Sequence, residues 1–161
     1  MIDNLNITII AGMGGNGMVS FHRLRSQPKG GPSGGRGGRG GDVRIVGDPS
    51  INTLLHLSYE RSYKAERGKH GGSNNRTGGN GRNLDIRVPL GTIVSNILDE
   101  TPNGVICDVV DTIPIIVCKG GRGGLGNISY VSSTNRIPLI AEQGEPGEEI
   151  QVKLELKILS D

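Results

Sequence analysis

Three glycines at positions 12, 14 and 17, in the stretch AGMGGNG, have the spacing G-x-G-x-x-G that can cradle a pyrophosphate, so nucleotide chemistry is the first possibility the sequence raises. That chemistry needs a strand before the loop, a helix opening at the third glycine with its N-terminus facing the phosphate, and an acid about 20 residues on. The run Ile7, Ile9, Ile10 supplies the strand. The residues after Gly17, MVSFHRLRSQPKGGPSGG, supply no helix, because β-branched and aromatic residues give way to Pro28 and Pro32. The same spacing recurs at Gly35, Gly37, Gly40 and at Gly121, Gly123, Gly126, again with no amphipathic helix after it. These glycines therefore read as structural.

Other chemistries fare no better as catalysis. Glu142, Glu145, Glu148 and Glu149 lie in AEQGEPGEE, which reads as an exposed turn rather than as a paired acid and base. Ser129, Ser132 and Ser133 lack a nucleophile elbow. Cys107 and Cys118 sit in apolar, strand-like runs and read as buried thiols, and His22, His56 and His70 are too scattered for a zinc site. The distinctive chemistry is cationic: residues 22–41 hold Arg23, Arg25, Lys29, Arg36 and Arg39 without a single acid, a footprint for polyanions.

The elements that must position these cations follow from composition. The chain has 161 residues, enough for one domain, and its only aromatics are Phe21, Tyr59, Tyr63 and Tyr130, so the core must come from Ile, Val and Leu, which favours strands. Net charge is +2, yet residues 1–136 carry 16 Lys/Arg against 10 Asp/Glu while residues 137–161 carry 2 against 6, a basic body with an acidic end. Aliphatic runs at 6–11, 43–46, 84–88, 105–110 and 115–118 predict strands. The clearest spans 149–159, where Ile150, Val152, Leu154, Leu156 and Ile158 alternate with polar residues. Residues 53–67 give the only helical hint. The N-terminus lacks a basic region and a long apolar run, which reads as no signal peptide or membrane span and as a cytoplasmic, reducing setting or an organelle lumen.

Glycine, 28 of 161 residues against a usual share of roughly 7%, concentrates in blocks at 12–41, 68–81 and 120–126. In GGPSGGRGGRGG the glycines at 31, 34, 37 and 40, and at 35, 38 and 41, recur every third residue. Polyproline II has three residues per turn, and glycine at every third position lets such chains pack closely, so short polyproline II segments bonded to one another are expected. That geometry sets Ser33, Arg36 and Arg39 on one side, about 9 Å apart. A disordered RGG-type segment is the alternative, but blocks interleaved with strands read as loops of one folded unit.

Taken in order, GGNGMVSFHR, PKGGPSGGRGGRGGDV, YERSYKAERGKHG, VPLGT, KGGRGGLGN with SSTNRIP, and GEPGEE before the alternating strand resemble the N-terminal domain of the Obg family of GTPases across essentially the whole chain. The resemblance implies an all-β Obg fold, a glycine-rich polyproline II helix bundle plus a jelly-roll-like β-barrel, making residues 1–161 a single domain. It implies a following GTPase domain, holding GTP and Mg, beyond Asp161. No G-x-x-x-x-G-K-[ST] occurs here, so no cofactor site is expected in this chain, and its stop at Asp161 reads as excision before that domain, with a natural short homologue as the alternative. The implied partners are the large ribosomal subunit and its rRNA, with glycine-rich tips entering near the tRNA acceptor ends during subunit maturation. Carried onto this sequence, the tips are Pro28 to Gly31, Thr77 to Gly81 and Gly121 to Gly126, and the RNA-binding set is Arg23, Arg25, Lys29, Gly30, Gly31, Arg36, Arg39, Arg76, Gly79, Asn80, Arg82 and Arg122. The family's usual Asp positions in the first block are Ser33, Arg36 and Arg39 here, and Gly79 and Asn80 stand where its second turn often has lysine. A protein-interaction module binding a signalling partner is the alternative.

Overall fold

Short aliphatic runs bounded by glycine, proline or asparagine become strands. The computed structural model describes residues 3–22, 30–99 and 101–157, and within them lie β1 (Asn4–Ile10), β2 (Val43–Gly47), β3 (Ser62–Lys64), β4 (Leu84–Val88), β5 (Thr92–Asn96), β6 (Val105–Asp108), β7 (Ile115–Cys118) and β8 (Glu149–Leu156). They form a five-stranded sheet, β3-β1-β8-β5-β6, and a three-stranded sheet, β4-β2-β7. The pairs β1/β3 and β2/β4 are parallel and the others antiparallel.

Register is fixed by which face must be dry. Leu154 of β8 stands opposite Leu5 of β1 and Val94 of β5, so aliphatic side chains cross three strands in one row, while Gln151, Lys153 and Glu155 face water. Ile7, Ile9, Val94, Val152 and Leu154 from the larger sheet meet Val43, Ile45, Ile86, Val88 and Cys118 from the smaller in one buried cluster. Each fully buried aliphatic contributes about 1.5–3 kcal/mol, so this cluster carries most of the stability that so aromatic-poor a chain can obtain from side chains.

Two expectations about elements change. Residues 53–67 hold no α-helix: Leu55–Leu57 make one 3-10 turn whose N-cap Leu54 offers no side-chain bond, and β3 follows. Pairing with β1 overrides local propensity there, as Tyr63 registers with Ile9 and its hydroxyl donates to the Leu57 carbonyl oxygen at 2.8 Å. β5 lies where no strand was expected; the chain enters it through Gly91, whose φ of 93° is a backbone state that disfavours a side chain.

The expected polyproline II helix bundle joined to a jelly-roll-like β-barrel is not what forms. The all-β class stands, but the two sheets are open, ending on the edges β3 and β6 and on β4 and β7, and no barrel closes between them. The glycine blocks hold no regular helix among the described residues, whose helical elements are three 3-10 turns outside those blocks. The physical reason lies in how the glycine segments obtain their bonds: they prolong the sheets past the ends of the strands. Residues 65–72, 11–18 and 142–148 continue β3, β1 and β8; residues 76–83, 33–42 and 119–127 continue β4, β2 and β7.

Backbone bonds within and between these two rows recur every third residue. Gly12, Gly15 and Met18 donate to the carbonyls of Gly41, Gly38 and Gly35, and Ala11, Gly14 and Gly17 to those of Glu148, Glu145 and Glu142, all at 2.8–3.0 Å. In the other row Gly37 and Gly40 donate to Gly124 and Gly121, and Gly78 and Gly81 to Arg36 and Arg39. Glycine is what lets the segments approach, within and between rows: a Cβ on Gly12, Gly15, Gly37, Gly40, Gly120 or Gly123 would land on a carbonyl oxygen of a neighbouring segment. AGMGGNG is therefore the central segment of its row, bonded on both sides, with Gly14 and Gly17 lying against the carbonyls of Arg122 and Leu125 and no helix after them among the described residues. AEQGEPGEE is its sixth segment rather than an exposed turn, because Gly144 and Gly147 carry the same spacing of three and pack on Gly14 and Ala11.

Candidate nucleic-acid interface

Since each lattice segment continues into a strand at one end, the three connections between segments all lie at the opposite end, away from the sheets. The first joins residues 18 and 33 and includes Arg23, Arg25, Pro28 and Lys29, which lie outside the described residues. At its base the His22 N–H donates to the Gly31 carbonyl (2.8 Å) and the Gly30 N–H to the His22 carbonyl (3.0 Å), with Phe21 bridged to Pro32. Gly31 is exposed, and a Cβ there would meet nothing within 4 Å.

The second turn falls at Ser73 to Arg76 rather than at 77–81. Asn74 and Asn75 take φ of 57° and 60°, the left-handed state that asparagine tolerates better than most residues, and the Gly72 N–H closes the turn on the Arg76 carbonyl at 2.8 Å. Gly79 and Asn80 belong to the returning segment, where the Gly79 carbonyl accepts the Lys69 N–H (2.9 Å) and Asn80 Oδ1 accepts the Arg39 N–H (3.0 Å). Gly121 to Gly126 is likewise lattice and not tip; the third connection comes after it, beginning with the 3-10 turn Asn127–Tyr130.

The arginines stand outward, as they must where the interior is filled with backbone. Arg36 and Arg39 are both exposed at equivalent positions of one segment, whereas Ser33, expected on the same ridge, is fully buried with its hydroxyl on Ser20 Oγ. Three of the named cations are paired internally. Arg39 reaches Asp42 at 3.1 Å, Arg82 donates to Glu66 at 3.0 Å, and Arg122 lies 3.7 and 3.6 Å from Glu142 and Glu145. Exposed pairs of this kind contribute about 0–1 kcal/mol each and yield readily to a phosphate. Arg36 and Arg76 have no ion-pair partner among the described residues.

Two features escaped sequence reasoning. Asn127, fully buried, joins the first and third connections: its Oδ1 accepts the Gly34 N–H (2.8 Å), and its Nδ2 donates to the carbonyls of Ser20 (3.0 Å) and Pro138 (3.1 Å). Its signal was an amide immediately after the last glycine of a block. Arg67 and Lys69 add cations beside Arg76, and their signal was alternation with glycine in ERGKHGG.

Burial pushes the Cys118 thiol up to about 11 and raises that of Cys107, so neither is a ready thiolate nucleophile. Among the described residues no cluster of three His, Cys, Asp or Glu side chains is arranged to hold a metal ion, and no helix is long and apolar enough to cross a membrane.

Residues 2–158 match the family model described as GTP1/OBG. The chain is 48% identical over 161 residues to the GTPase Obg of Persephonella marina, covering 99% of this chain and 46% of that protein. To the GTPase Obg of Heliobacterium modesticaldum it is 50% identical over 160 residues, covering 99% of this chain and 36% of that protein. It thus spans less than half the length of these curated relatives. With the motif order, the lattice glycines and the match over nearly every residue all in agreement, the chain belongs to the GTP1/OBG family.

Proposed function

We propose that this chain is the domain through which an Obg-type GTPase binds the large ribosomal subunit and its rRNA during ribosome assembly. The observation that carries the reading is the glycine lattice itself, a stiff, backbone-filled projection that directs Arg36, Arg39, Arg76, Arg82 and Arg122 outward. A surface without bulky side chains lets phosphates and sugars come close, while cations at fixed spacing displace counterions. Recognition is then of RNA shape and phosphate spacing rather than of base sequence. The connections at the far end of the lattice enter near the tRNA acceptor-end region, with Arg23, Arg25 and Lys29 contributing from the first of them. In this reading residues 1–161 form one domain, GTP and Mg bind in a following GTPase domain outside this sequence, and the protein works in the cytoplasm.

A second reading, a module for a protein partner, is favoured by one observation: Ile137, Leu139 and Ile140 are 66%, 73% and 61% exposed in the third connection. Sedimentation with purified large subunits over a salt series separates the two. RNA binding predicts co-sedimentation at low salt that falls steeply as salt rises, whereas an apolar protein contact holds. Absence of co-sedimentation at low salt would refute the first reading.

A further inference from the structure

Where residues 65–72 and 76–83 run side by side on the flank of the lattice, they border an open groove of about 760 Å3 lined by Asn16, Arg67, Lys69, His70, Arg76 and Gly79. Arg67, Lys69 and Arg76 are exposed, and their side chains have no ion-pair or hydrogen-bond partner among the described residues. The one acid on the groove wall, Glu66, is already held by Arg82 at 3.0 Å.

Gly79 differs from its neighbours. A Cβ on Gly78 would land on the Lys69 carbonyl, so packing demands glycine there. A Cβ on Gly79 would meet only Lys69 Cδ, at an ordinary 3.6 Å, and its φ is not in the left-handed region. Internal structure therefore does not require glycine at 79. Its carbonyl is taken by the Lys69 N–H, and its own N–H has no partner among the described residues. The result is a bare backbone donor between Lys69 and Arg76, open to solvent, suited to a phosphate oxygen that must come close.

We propose that this groove seats the sugar-phosphate backbone of a single RNA strand, with phosphates on Arg67, Lys69 and Arg76 and the strand lying across Gly79. The inference rests on the RNA-binding reading above and adds a lateral site to the far end of the lattice. A free nucleotide fits less well. The cations are spread over two segments instead of converging on one point, and of the six lining residues named above only His70 offers a ring, too little to enclose a base.

The test uses the full chain with Gly79→Ala and, separately, Arg67→Gln, Lys69→Gln and Arg76→Gln combined. Binding to a fluorescent oligouridylate and to purified large subunits is measured over a salt series, alongside thermal melting. Gly79→Ala is expected to melt as wild type, to bind several-fold more weakly, and to keep the wild-type salt slope because no charge is lost. The triple variant is expected to lower the logarithmic salt slope by about 2, at roughly 0.7 per single-strand phosphate contact. If both variants bind like wild type, the groove is overturned and the RNA reading stands on other faces. If wild type binds neither probe, the RNA reading falls and the groove with it. A lowered melting temperature for Gly79→Ala would return that glycine to internal packing and overturn the clearance argument.

Discussion

Gly37→Ala puts the lattice under its most direct stress. The added Cβ would land on the carbonyl oxygen and carbon of Gly15, both backbone atoms, so no side chain can swing aside. Ordinary contact begins near 3.4 Å, and because close-packed interiors leave no slack the segments must part by roughly 1 Å or more. Three bonds join the segments that meet there: Gly15 N–H to Gly38 O and Gly124 N–H to Gly15 O between the rows, and Gly37 N–H to Gly124 O within one of them, each 2.9 Å. Lengthened by about 1 Å, none remains a hydrogen bond. Each buried group left unmade costs about 1–3 kcal/mol, so the substitution costs about 3 kcal/mol at the least, against a total stability of about 5–15 kcal/mol for a domain. For a chain of this size that corresponds to a fall of about 6–12 °C in Tm, read by differential scanning calorimetry. Gly31→Ala is the control, since its Cβ meets nothing within 4 Å, and its Tm should stay level or rise slightly. A Gly37→Ala protein melting within about 2 °C of wild type would refute direct backbone contact between the two rows.

Asn127→Ala should cost about 2–4 kcal/mol in urea unfolding, because the Gly34 N–H and the Pro138 carbonyl are left buried without a partner; a loss under about 0.5 kcal/mol would argue against the hub. Cys118, held neutral by burial with a pKa near 11 against an ordinary 9.0, ionises more readily in the unfolded chain, so stability should fall as pH rises from about 9 to about 11. Cys118→Ala should lessen that fall, the rest coming from Cys107 and Tyr63, which burial also raises, and an unchanged pH profile would contradict the assignment. Replacing Lys29, Arg36 and Arg39 together by Ala should weaken binding to the large subunit and flatten the salt slope by about 0.7–0.9 per lost contact, leaving the fold intact; unchanged affinity and slope would make these cations mere solvated surface. Calorimetric titration of the chain with GTP and Mg should give no binding heat, since the sequence holds no G-x-x-x-x-G-K-[ST], and stoichiometric binding would overturn the structural reading of AGMGGNG.

Some of this was legible because it is periodic. The alternation in β8 names Val152 and Leu154 as core without further information, and the spacing of three in residues 31–41 reappears as the spacing of the lattice bonds. β3 was illegible because three residues, SYK, carry no pattern; they are a strand only because β1 offers an edge. The lattice role of residues 142–148 hid behind four glutamates, two glycines being too few to stand out. The second turn, carried over from the resemblance to 77–81, falls at 73–76 instead, because the glycines of this block face other segments and two asparagines turn the chain. The pairing of Arg122 with Glu142 and Glu145 arises only once separate segments lie side by side.

The change from a side-chain core to a backbone core explains why cations gather on this part of the molecule. Between the sheets, space is filled by Ile, Val and Leu, and one face of every strand is spoken for. In the lattice the interior is filled by carbonyls and N–H groups, so large side chains have nowhere to go but outward, and their spacing matches that of the bonds beneath them. Arg36 and Arg39 stand three residues apart because their carbonyls accept from Gly78 and Gly81, also three apart. Acids at Asp42, Glu66, Glu142 and Glu145 then answer Arg39, Arg82 and Arg122, leaving Arg36, Arg67, Lys69, Arg76 and Lys119 as the cations of the lattice segments without an ion-pair partner among the described residues. A polyanion meeting the lattice therefore finds charge at positions set by the backbone rather than by flexible loops, so little ordering entropy opposes binding. Under the proposed RNA-binding function, recognition depends on keeping the rows in contact, and for that reason a methyl group at Gly37, which removes no charge, should impair RNA binding as surely as the loss of an arginine.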